Sequence, residues 1–195
     1  GLEDGEDDVV AVAASALLPV TSVIIAYLPN SVSALSDRLW EAMLELDDLT
    51  SSTQSIMGLL ADLLSQPRGV DLAFGLSKSG NSLPSLVPRL FPFLSHSSSL
   101  VRKADLEALL TLSTHPSTAM QWLPSCAGDI LRHLYQRALL EHQLPSLNPI
   151  PQVWNSICEN TPLEPLLMAS CPWFGAWIRL ISYPGNQPLD TTILL

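Results

Sequence analysis

The sequence predicts an all-α protein, a solenoid of stacked antiparallel helix pairs, and three observations carry that expectation. Leu-rich stretches of 10 to 18 residues recur between Pro and Ser clusters, with no alternating β-branched or aromatic runs bounded by hairpin signals. The dipeptide Leu-Leu stands at Leu17-Leu18, Leu63-Leu64 and Leu109-Leu110, each 46 residues from the next. That period lies within the roughly 40 to 47 residues of HEAT/armadillo-like repeats. Superposing the sequence on itself at a shift of 92 sets Val9 on Val101, Ala16 on Ala108, and the leucine pairs on each other. Such helices bury an apolar face only by stacking on neighbours, so a shared face at a shared period implies a row of equivalent helices.

Taken in order, residues 1-65 are expected to hold the second helix of one repeat and then a complete pair. The first helix opens after Glu6-Asp7-Asp8, whose carboxylates suit a helix N-terminus. Ser33 to Leu46 carries Leu35, Leu39, Trp40, Met43 and Leu46 on one stripe; Ser52 to Ser65 follows Thr50-Ser51-Ser52 with Ile56, Leu59, Leu60, Leu63 and Leu64 at helical spacing. Residues 66-82, with Pro67, Gly69, Gly75 and Gly80, read as a connecting loop whose apolar Val70, Leu72, Phe74 and Leu76 remain available for packing. Residues 83-160 supply two further pairs. Leu83 to Leu94 is made irregular by Pro84, Pro88 and Pro92, and its partner follows Ser97-Ser98-Ser99. Gly128 to His142 and Ile150 to Glu159 form the last pair, and 161-195 reads as an irregular helical segment ending in loop.

Charge narrows the function classes. The formal net charge is −10, and residues 1 to 62 hold eleven acids against one base, Arg38, while residues 63 to 195 carry eight of each. A nucleic-acid surface needs clustered Lys and Arg to displace phosphate counterions, and no such cluster is present. The acidic end suits a basic protein face, although any single acid is first of all a solvated surface group. Cys126, Cys158 and Cys171 are odd in number and widely spaced, which indicates neither a disulfide framework nor a zinc site. Reduced thiols of this kind fit a cytosolic or nuclear compartment. Val9 to Pro29 has no charged residue and is about long enough to span a bilayer. Pro19 interrupts it, Ala and Ser dilute it, and acids flank it where Lys or Arg would set an orientation, so it is read as scaffold. A start at Gly1 without Met suits a piece of a longer chain.

Candidate chemistry is sparse. Gly75-Leu-Ser-Lys-Ser-Gly80-Asn81-Ser82 approaches a phosphate loop, but Asn81 occupies the Lys position and no strand leads into it. His96, His115, His133 and His142 are scattered without a ligand spacing, and no G-x-S-x-G elbow presents a serine. Asp47-Asp48 closes the helix ending at Leu46 and reads as a turn or cap before it reads as an acid-base pair. Trp40 and Trp154 are expected in the core, and Cys171-Pro172-Trp173-Phe174-Gly175-Ala176-Trp177 is a compact aromatic cluster at a Pro-initiated helix start. No catalytic, cofactor or metal residue is expected.

Strings along the whole chain carry a resemblance: Asp7-Asp8-Val9-Val10-Ala11-Val12-Ala13-Ala14, Ser55-Ile56-Met57, Phe91-Pro92-Phe93-Leu94, Ile130-Leu131-Arg132-His133, Val153-Trp154, Cys171-Pro172-Trp173, Gly175-Ala176-Trp177 and Pro188-Leu189-Asp190. The sequence resembles the TATA-binding protein-associated factors, Swi/Snf-type ATPases that remove TATA-binding protein from DNA. The resemblance implies a piece of the N-terminal HEAT region, in the nucleus, with TATA-binding protein as partner. Promoter DNA and ATP would be engaged only by a motor domain outside these residues. On that reading the loop Glu45 to Thr50 presents Glu45, Asp47, Asp48 and Thr50 to a basic face of the partner. Reversing Asp47 and Asp48 to Lys is expected to weaken the association and its salt sensitivity. A generic HEAT adaptor in transport or assembly is the alternative. One departure is Val10, which stands where second helices of such repeats carry Arg, as Arg102 does in the later copy.

Overall fold

The computed structural model describes residues 1–2, 5–47, 49–74, 82–140 and 149–161. Every regular element among them is helical. The acidic opening leads into α1, Asp7–Leu17, which gives way to a 3-10 turn, Leu18–Val20, and then α2, Thr21–Tyr27. The break falls at Pro19, whose ring removes an N–H donor from the helix. By length and composition Asp7–Tyr27 is apolar enough to cross a membrane, and 22% of its most apolar window is buried.

After Leu28, α3 runs Pro29–Ala42 and tightens into a 3-10 turn, Met43–Glu45. Its start lies four residues before the expected Ser33, because Pro29 at the first helical position loses a donor that would be unpaired anyway. α4, Thr53–Ser65, follows as expected, with eight of its thirteen residues buried. The next segment is not all connection. Gly69–Phe74 forms α5, which buries Val70, Leu72 and Ala73. Arg68 turns the chain with φ 68°, and Gly69 fits beneath because a Cβ there would lie 2.0 Å from the Leu63 carbonyl oxygen.

The three prolines of 83–94 act as expected: α6, Leu83–Leu86, yields to 3-10 turns at Val87–Arg89 and Phe91–Ser95. α7 spans Ser99–Thr114. α8, Pro116–Leu140, begins twelve residues before the expected Gly128 and passes through Pro124. The carbonyl that Pro124 leaves without its helical donor belongs to Met120, an exposed residue where water can supply the missing bond, and the helix continues. α9 spans Ile150–Asn160. The predicted segment 161-195 lies, apart from Thr161, outside the described residues, and so does His142.

These elements make two layers. In one, α1, α4, α7 and α9 pack in succession; in the other, α3 packs on α5 and α6 on α8. The Phe91–Ser95 turn joins the layers by touching both α7 and α8, and the core is continuous from Val10 to Ile157. The chain is thus an all-α helical-repeat stack, and the 46-residue leucine period marks the successive helices of its first layer.

Candidate partner-binding surface

The acids singled out by sequence sit where α3 hands over to α4. Glu45 closes the 3-10 turn and is exposed, Asp47 is exposed and Thr50 is half-buried; Asp48 lies outside the described residues. The Asp47 carboxylate is already occupied. Its Oδ1 accepts from the Leu49 N–H at 2.8 Å, the Thr50 N–H at 2.9 Å and the Thr50 hydroxyl at 2.7 Å. In return the Asp47 N–H donates to Thr50 Oγ1 at 3.2 Å, and the Thr53 hydroxyl donates to the Asp47 carbonyl at 3.0 Å. The Thr50 hydroxyl and the two backbone donors hold the Asp47 carboxyl below its usual pKa. Asp47 therefore shapes the turn, while Glu45 faces solvent beside two exposed leucines, Leu44 and Leu49.

A second carboxylate joins this loop to the end of the stack. Asp7, in the first turn of α1, accepts from the Ser51 N–H and hydroxyl, both at 2.6 Å, and from the Ser52 N–H and hydroxyl. The Ser51 hydroxyl also reaches Asp8 at 3.0 Å. The serine hydroxyls, ahead of the backbone donors, lower the Asp7 pKa. Neither Glu6, Ser52 nor Ser98, each just before its helix, makes a side-chain cap bond; at α4, Asp7 from another helix instead holds Ser51 and Ser52, the two residues before it. Between these elements lies an open cleft of about 490 Å³, lined by Asp7, Arg38, Glu41, Glu45 and Thr50 among others. Arg38 bridges to Glu41 at 2.8 Å across exposed side chains.

The other candidate chemistry is dispersed. No group of three His, Cys, Asp or Glu side chains among the described residues could hold a metal. His96 is buried with its Nδ1 accepting from the Ser98 N–H at 3.0 Å; the imidazole of His115 lies 3.7 Å from Asp71. His133 packs at a tilt against Phe91, and burial lowers its pKa. Cys126 is buried, and burial pushes the Cys158 thiol up to about 11, which leaves it protonated and unreactive at neutral pH. Trp40 and Trp154 are core residues as expected, and so is Trp122, whose indole donates to the Leu112 carbonyl at 3.0 Å. The Gly75 loop up to Asn81, Cys171 and the Trp173 to Trp177 cluster lie outside the described residues.

Two groups stand apart: Arg102, which the sequence offers as the arginine of its repeat, and Asp105, which sequence reasoning did not single out. Arg102 Nη1 donates to the His96 and Ser97 carbonyls, each at 2.8 Å, and so ties α7 to the turn before it. Asp105, one helical turn on, is fully buried with no partner for either carboxylate oxygen among the described residues; desolvation raises its pKa well above the usual value. An Asp inside an apolar helical stripe was its only signal.

Layers of paired helices with an acidic loop at one edge define the class, an α-helical repeat protein. Over its whole length the chain is similar to TATA-binding protein-associated factor 172 of Homo sapiens, 41% identical over 196 residues, or 100% of this chain and 10% of that protein. It is 32% identical over 226 residues to TATA-binding protein-associated factor BTAF1 of Arabidopsis thaliana, covering 98% of this chain and 11% of the relative. With TATA-binding protein-associated factor MOT1 of Saccharomyces cerevisiae it shares 39% identity over 152 residues, 75% of this chain and 8% of the relative. The chain spans about a tenth of the length of these relatives, so the resemblance read from the residues holds along the chain for one segment of each. No family model matches the sequence.

Proposed function

We propose that this chain is a protein-binding stretch of HEAT-type scaffold from a nuclear transcription regulator, and that it helps to grip TATA-binding protein. An ATP-driven, DNA-translocating motor of the Swi/Snf type, elsewhere in the longer protein, would then free that partner from promoter DNA. The observation that carries the proposal is the 41% identity along the entire chain to a TATA-binding protein-associated factor. An acid-rich, structured loop at the edge of a helical stack supports it, because such a loop offers charge complementarity to a basic protein surface without any chemistry of its own.

On this reading coupling is mechanical, a packed stack passing the motor's displacement to the gripped partner, and neither nucleotide nor metal is assigned to a residue of this segment. The test is a pull-down of the 195-residue chain on immobilised TATA-binding protein, with an unrelated basic protein as the control bait. Selective retention is expected, weakened by Glu45→Lys and less salt-sensitive in that variant. Equal retention on both baits would sink the proposal.

A further inference from the structure

The loop between α3 and α4 carries two leucines that the core does not use. Leu44 is 65% and Leu49 93% exposed, whereas Met43 beside Leu44 is buried and Leu46 is half-buried against the core. An exposed leucine is ordinary on a mobile tip. Here the tip is fixed: the Leu49 N–H is bonded to Asp47 Oδ1, the next N–H shares that oxygen, and the Thr53 hydroxyl holds the Asp47 carbonyl. The backbone that presents Leu49 is therefore ordered before any partner arrives, which is part of what a preorganised contact requires.

We propose that Leu49, assisted by Leu44, is the apolar anchor with which this loop enters a crevice on a basic protein partner, and that Asp47 is a positioning residue that aims it. The occupant follows from charge. Glu45 is exposed next to Leu44, Asp7 lines the same cleft, and the one base of the first 62 residues, Arg38, is paired with Glu41. An apolar centre inside an acidic rim matches a partner with an apolar crevice ringed by Lys and Arg. The inference rests on the proposed partner, and it changes what Asp47 does: its carboxylate works as a hydrogen-bond acceptor within the turn and leaves the charge contact to Glu45.

The experiment measures the affinity of the 195-residue chain for purified TATA-binding protein across a salt series. Leu49→Ala is expected to weaken binding about tenfold with the salt slope unchanged, the loss appropriate to an apolar contact. Its melting temperature should equal that of the unsubstituted chain, because the side chain is 93% exposed. Asp47→Ala should weaken binding comparably, whereas Asp47→Asn, which keeps an acceptor oxygen for the turn, should restore it. Binding by Leu49→Ala within twofold of the unsubstituted chain would overturn the anchor while leaving the partner assignment intact. Equal losses for Asp47→Asn and Asp47→Ala would return Asp47 to a charge role and overturn its positioning. If Leu49→Ala instead turns a dimer of this chain into a monomer with partner binding unchanged, the leucine serves a second copy and the anchor falls. Failure of the unsubstituted chain to bind overturns the partner assignment and the anchor together.

Discussion

α1 and α7 are copies by sequence, 92 residues apart, yet they are used differently. α1 buries Val10 and Ala14 out of eleven residues; α7 buries eight of sixteen. The difference lies in their neighbours, since α7 packs between α4 and α9 whereas α1 packs on α4 alone within that layer. Their polar ties differ too. α7 uses Arg102 to hold the turn that precedes it, within its own repeat. At the equivalent position α1 has Val10, which is buried, and its tie is the Asp7 carboxylate reaching across to the N-terminus of α4. A repeat can thus exchange an internal bond for an external one and keep its place in the stack.

Substitutions break or sharpen this contrast. The largest effect is expected where the layer is covered on both sides: Leu60→Ala in α4, at a fully buried position, should cost about 2–5 kcal/mol in urea unfolding. Val12→Ala on the open face of α1, where Val12 is 69% exposed, should stay within about 0.5 kcal/mol. Comparable losses would mean that the open face is covered in solution, and sedimentation would reveal the association.

The next effect concerns Asp105. Its folded pKa is raised, so the folded state holds the proton more tightly than the unfolded chain does. That stability is complete below the ordinary Asp pKa and is lost as pH rises from there towards the folded value. Asp105→Asn should therefore gain about 1–3 kcal/mol at pH 8 and flatten the dependence. Urea midpoints at acidic and alkaline pH check it; a loss in the variant at pH 8 would refute the buried-acid account.

The smallest effect belongs to Asp7, with the opposite sign. Its folded pKa is lowered, so its contribution is present above the ordinary Asp pKa and fades as pH falls through the folded value. Asp7→Asn should lower the melting temperature slightly at pH 7, and the difference should vanish in strong acid. A difference that persists there would assign the loss to packing instead of to the accepted hydrogen bonds.

Much of this contrast was legible in the sequence because the period recorded burial. Of the repeat leucines, Leu63, Leu64 and Leu109 are buried and Leu17 and Leu110 half-buried, while Leu18, in the end copy, is exposed; the prolines at 84, 88 and 92 break their helix as their chemistry requires. Three things were not legible. Pro124 signals a break, but Met120, one turn earlier, is exposed, so its carbonyl can turn to water, and exposure is a tertiary property. Glycine-rich composition concealed α5, which forms because Gly69 allows the chain to turn tightly under Leu63. In the candidate site, Glu45, Asp47 and Thr50 were found as a polar cluster, but the direction of the Asp47 carboxylate depends on which donors surround it, and no spacing rule encodes that. Leu49 carried a faint signal, as a leucine lying outside every helical stripe.

The Asp7 clasp has a mechanical consequence. Load carried along α1, α4, α7 and α9 crosses their joints in series, and in series the compliances add, so the softest joint takes most of the extension. Between α4 and α7 the joint is lined by buried side chains. Between α1 and α4 the edge is a carboxylate on two serines, with the Ser51 bonds exposed to water that can replace them as they lengthen. A pull on the stack would open first at that edge, and the loop that carries Leu49 would yield before the core behind it.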